Sequence, residues 1–216
     1  ANRSLRKFEL PLKRTAMQNH TTEQELRDRL SLIESMIAEG RRRTESWGWT
    51  FVLLGVAFYL AIAWSEWSHS AWAWPVTMLI AVILTVAVVS SKERKHPETT
   101  LGRAIGSIWT ALGISMFLLF LALGLSGRLT DPHLFPAAVS AILGMANGAS
   151  ALILRWKVQI GCAVVWWATA VASCFGSNVQ SSIVFLVAIF LCQIVFGIYC
   201  AIAEAQGHKR RGLVHA

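Results

Sequence analysis

From Val158 to Ala203 the chain contains no Asp, Glu, Lys or Arg. Four further runs share this property: Thr50 to Trp64, Ala71 to Ser91, Ala104 to Gly127 and Pro132 to Leu154. A soluble core does not need uncharged stretches of this length. A bilayer does, because a spanning helix takes roughly 20 mainly apolar residues at about 1.5 Å of rise each. Composition agrees. Charged residues make up 15% of the 216, against about 25% in ordinary globular domains. The mean hydropathy is +0.51.

These runs predict an all-α, polytopic integral membrane protein. Its core is a bundle of six transmembrane helices in three hairpins, preceded by a short amphipathic cytoplasmic helix. The spans are placed near Trp47–Trp64, Trp72–Ser91, Ala104–Gly127, Leu134–Leu154, Val158–Phe175 and Ser181–Ala203. The last run is too long for one span, and Gly176, Ser177 and Asn178 supply a turn that divides it. Between spans four and five only Arg155, Trp156 and Lys157 intervene, with no Gly or Pro to mark the turn. Antiparallel helices turn in as few as two to five residues. The first apolar run begins too deep for the h-region of a signal peptide, so the first span is expected to act as its own insertion signal.

Orientation follows from charge, since cytoplasmic loops accumulate Lys and Arg. Ten basic residues precede the first span, Arg3 to Arg43. Lys92, Arg94, Lys95 and Arg103 follow span two, Arg155 and Lys157 follow span four, and Lys209, Arg210 and Arg211 lie in the tail. Six spans put all of these on one side and leave Arg128 alone on the other. Both termini are therefore expected in the cytoplasm, with the protein in a plasma (inner) membrane of bacterial type. Tryptophan placement fits: Trp47, Trp49 and Trp156 at inner ends, Trp64, Trp67, Trp72 and Trp74 at the outer end of the first hairpin. An indole has an apolar body and one N–H donor, which suits the headgroup layer. The net charge of +8 has the same origin. Nucleic acid is not an expected partner, because the basic residues flank spans and form no single patch.

Four segments are expected: a basic, disordered arm (1–16), a cytoplasmic amphipathic helix (17–46), the six-span domain (47–204) and a basic cytoplasmic tail (205–216). In the helix, Thr22 and Glu25 fit a capping box, and Gly40 reads as a stop. Leu26, Leu30, Ile33 and Ile37 recur at spacings of 4, 3 and 4, which sets one apolar stripe. A helix this short is marginal alone in water, so the stripe needs a surface. The choices are the membrane or the protein's own loops, a second copy, or a soluble partner bound through residues 22–40. Met17 directly precedes the helix and reads as a start codon, making residues 1–16 an upstream extension. The other reading of those residues is a basic arm on anionic lipid.

Within the spans the polar content is mild. Asn147 and Gln193 are the most notable, and interhelical hydrogen bonding is the plain account of both. Ser140, Gly144 and Gly148 form a small-xxx-small face for close helix packing, within the bundle or between copies. Cys162, Cys174, Cys192 and Cys200 form no C-x-x-C and read as small apolar residues. Outside the spans, Glu66 and His69 in one outer loop and Asp131 and His133 in another make a candidate divalent-metal set. The simpler reading makes Asp131 and Pro132 the cap of span four. No G-x-S-x-G, H-E-x-x-H or Walker loop occurs in the chain, and no cofactor is implied.

The expectation is a non-enzymatic multi-pass membrane protein whose cytoplasmic helix mediates self-association or docks a soluble partner. The alternative is a transporter or channel subunit passing a small, weakly polar solute near Asn147, Trp166, Trp167 and Gln193. A weaker third reading is an outer-face metal or ligand sensor built on Glu66, His69, Asp131 and His133.

Overall fold

The computed structural model describes residues 6–68, 72–93, 100–128 and 131–214. His69 of the candidate metal set lies outside them, as do Arg3, Arg94 and Lys95 of the orientation count. Every regular element among the described residues is helical: α1 (Arg6–Glu45), α2 (Gly48–Ser68), α3 (Ala73–Glu93), α4 (Thr100–Leu125), α5 (Leu134–Leu154), α6 (Lys157–Phe175), α7 (Asn178–Ile189) and α8 (Phe196–Val214). A π-helical segment, Phe190–Val195, joins α7 to α8, so these two run on as one rod. Among the described residues five helices are long and apolar enough to cross a membrane: α2, α4 from Leu101, α5, α6 and the rod from Asn178 to Gly207. In α3 the shorter stretch Ala73–Val88 is apolar.

The most extensive contact is the α5–α6 hairpin. Its turn is made without glycine. Arg155 adopts the left-handed conformation (φ 49°, ψ 42°). The Trp156 N–H then reaches back to the Ala151 carbonyl and the Arg155 N–H to Leu152. That is the Schellman pattern, which satisfies carbonyls a helix end leaves open. The next turn is marked by a capping box: the Gln180 N–H donates to Ser177 Oγ and the Ser177 N–H to Gln180 Oε1.

Two aromatic layers tie the helices together. In one, Phe135 of α5 meets Trp74 of α3 at 4.7 Å between ring centroids and Phe120 of α4 at 5.5 Å. Phe58 of α2 and Phe185 of α7 join it edge to face. In the other, Phe51 of α2 sits between Trp109 of α4 and Phe196 of α8, and Trp156 packs on Phe196 and Tyr199. Trp74 and Trp156 are thus buried in these layers. Their rings are held by other rings. Trp49, Trp64, Trp67 and Trp72 are exposed.

α1 also departs from expectation. It is continuous from Arg6 to Glu45, so neither Thr22 nor Gly40 marks an end, and the segments divided at residue 16 share one helix from Arg6 onward. Pro11 lies within it. Gly40 is buried for a different reason: a Cβ there would come within 2.8 Å of both Leu101 Cδ2 on α4 and Leu154 Cδ2 on α5. The glycine lets α1 approach the bundle. The tail expected from residue 205 likewise continues α8 to Val214.

Candidate functional site

α1 has two parts with different surroundings. Its C-terminal turns are locked to the bundle. Beyond the Gly40 contact, Arg41 Nη2 donates to the carbonyls of Leu154 and Arg155 at 3.3 Å each. The guanidinium lies 5.9 Å from the Trp156 ring centroid. A cation at the C-terminus of α5 meets both the open carbonyls and the negative end of the helix dipole. Thr44 is buried and its hydroxyl donates to the Gly40 carbonyl at 3.1 Å. The gap between α1 and α4, lined by Gly40, Thr44, Trp47, Gly102 and Ile105, leaves no room for a water molecule. The Glu45 carboxyl is pushed up by partial burial, against the pull of Arg41 and Arg42.

The preceding turns are uncovered. Leu26 is 60% exposed, Leu30 54% and Ile33 52%, while Ile37 is half-buried where the helix nears the bundle. Leu32, off the stripe, is 59% exposed. Arg29 pairs with Glu25 one turn back, at 2.6 Å. An apolar stripe is thus mounted on a helix whose far end is fixed.

The other candidate residues are dispersed. On α5, Ser140, Gly144 and Gly148 share one face. A Cβ on Gly144 would collide with Trp167 Cδ1, and one on Gly148 would lie 2.8 Å from the same indole. This face therefore receives the Trp167 ring of α6. Asn147 donates from Nδ2 to the Leu143 carbonyl at 2.9 Å, and its Oδ1 has no partner. Gln193 lies in the π segment, buried, with Oε1 unpartnered. The Cys192 thiol donates to the Cys162 carbonyl at 3.6 Å, and the Tyr59 hydroxyl to the Leu186 carbonyl at 2.8 Å. The irregular segment and the turn before it are thus held from α6 and α2. Trp166 is fully buried, and Trp167, packed over Gly144 and Gly148, is 45% exposed.

At the opposite end, Asp131 Oδ1 accepts from the N–H groups of His133 and Leu134, both at 2.9 Å. These bonds, Leu134's first, hold its carboxyl below the usual aspartate range. The His133 ring bridges α6 and α7. Nδ1 meets the Ser173 carbonyl and Nε2 the Asn178 side-chain amide, each at 2.8 Å. A carbonyl only accepts, so Nδ1 carries a proton. Glu66 is exposed near the end of α2. Among the described residues no three His, Cys, Asp or Glu side chains come together as a metal site would need.

The geometry defines a helical protein with several membrane-compatible helices and an exposed apolar stripe on α1. The chain matches no known protein family, no curated protein and no solved structure.

Sequence reasoning missed Arg41 as an anchor of α1. The signal was there: a basic residue follows a glycine on a patterned helix. Only the fold supplies the α5 terminus it reaches.

Proposed function

We propose that the protein is a non-catalytic, six-span component of a plasma membrane whose α1 is a protein-association arm. In this reading α2, α3, α4, α5, α6 and the α7–α8 rod cross the bilayer, and both termini lie in the cytoplasm. The charge asymmetry of the loops supports the orientation.

One observation carries the association role. Leu26, Leu30 and Ile33 are left more than half exposed on a helix whose other end is packed at Gly40 and tethered through Arg41. Exposed apolar side chains on a fixed mount mark an interaction surface. The solute-path reading ranks second: it draws on the unpartnered oxygens of Asn147 and Gln193, which interhelical bonding also accounts for.

The test is the double substitution Leu30→Asp and Ile33→Asp in the full chain, purified in mild detergent. The expected result is a smaller complex and loss of cross-linked species from α1. An unchanged complex size and cross-link pattern removes the role. Reporter tags fused at both ends should face the cytoplasm together; tags on opposite sides overturn the six-span count.

A further inference from the structure

We infer that the partner of this stripe is a second copy of the same chain, joined as a short parallel, in-register coiled coil. The inference rests on the reading of α1 as an association arm on a membrane protein.

The spacing gives the register. Leu26, Leu30, Ile33 and Ile37 alternate by 4, 3 and 4, which are the d, a, d and a positions of a heptad seam. The next d position is Gly40, already filled by Leu101 and Leu154. The free seam therefore ends where the bundle begins: Leu26, Leu30 and Ile33 remain to be covered, with Ile37 half-buried at its base.

The charges choose the occupant. In this register Arg29 stands at g and Glu34 at e. In a parallel pair the g residue of one helix faces the e residue five positions on in its partner. Arg29 then faces Glu34 of the second copy, and by symmetry Glu34 faces Arg29. The remaining g–e pairs, Thr22 with Arg27 and Met36 with Arg41, set no like charges together. Arg29 now bonds Glu25 through Nη2, and a guanidinium has five donors, so its other N–H groups are available across the seam.

Direction follows from the bilayer. Two copies inserted with one topology are related by an axis along the membrane normal, which makes their α1 helices parallel. A lipid surface fits less well. Between Thr22 and Gly40, Arg27 and Arg29 stand against Glu23, Glu25, Asp28, Glu34 and Glu39. An acidic segment is repelled by an anionic leaflet.

Single cysteines test this in native membranes, in full-length protein with the exposed Cys174 replaced by Ser. Ile33→Cys, in the seam, should oxidise to a disulfide-linked dimer roughly tenfold faster than Ser35→Cys on the outer face, because held neighbours outpace colliding ones. Arg29→Glu or Glu34→Arg alone should diminish the Ile33→Cys dimer, and the two together should restore it. Equal rates at positions 33 and 35, or no dimer at either, overturn the proposal. If the double aspartate variant still shrinks the complex while Ile33→Cys forms no dimer, α1 binds another protein. The association role then stands and the self-pairing falls.

Discussion

Gly48 and Gly197 meet backbone to backbone. A Cβ on Gly48 would lie 2.6 Å from the Gly197 carbonyl oxygen, and one on Gly197 2.7 Å from the Gly48 carbonyl oxygen. Further along the same pair of rods, a Cβ on Gly55 would come within 2.9 Å of Gln193 Cβ. The first apolar helix and the last thus approach as closely as helices without side chains can, which is the way membrane helices gain packing contact.

Gly48→Ala and Gly197→Ala should each destabilise the protein by about 1–3 kcal/mol, the usual cost of overfilling a packed contact whose neighbours are backbone. Gly144→Ala should cost less, since its neighbour is the half-exposed Trp167 indole, which can swing. Gly113→Ala on α4 meets open space and should cost nothing. Thermal unfolding of the four variants in detergent gives the order, and equal losses at positions 48 and 113 would refute the contact.

Arg155→Gly should raise stability by about 1 kcal/mol, because a non-glycine residue in the left-handed region carries a steric penalty of that order. Arg41 bonds to the backbone carbonyl of Arg155, so that anchor survives the change. A higher melting temperature than wild type is the expected reading; a fall would mean that the Arg155 side chain matters more than its backbone.

Asp131 should make stability depend on acid. Its folded pKa is held below the ordinary value of 3.8 by the Leu134 and His133 N–H groups. Its contribution is therefore complete above that value and is lost as pH falls through the lower, folded one. Asp131→Asn keeps an acceptor but does not titrate there. Its melting temperature should fall less steeply below about pH 4 than that of wild type.

Asn147→Leu should leave stability unchanged or raise it. Replacing a buried polar group by an apolar one of similar shape is nearly neutral when a partner atom is already missing, as it is for Oδ1. A loss above about 2 kcal/mol would mean that the oxygen has a partner in the folded protein.

Much of this was legible. Leu134–Leu154 falls where an uncharged run bounded by Asp131 and Arg155 puts it, and the break at Ser177 is a capping box whose Ser and Gln are plain in the chain. Gly40 was misread because a glycine that ends a helix and one that admits a neighbouring helix look alike until the neighbours, Leu101 and Leu154, are known. The π segment leaves no mark, since one added residue in a continuous apolar run disturbs neither composition nor charge. The adjacency of α2 and α8 was equally silent. Hydropathy finds helices without saying which of them touch.

The Gly48–Gly197 contact also sets a timetable. Helix α2 emerges from the ribosome before its partner α8 exists, and its small-residue groove stays uncovered while the hairpin of α5 and α6 forms. A nascent chain stalled before residue 197 therefore presents an open groove where α8 would pack.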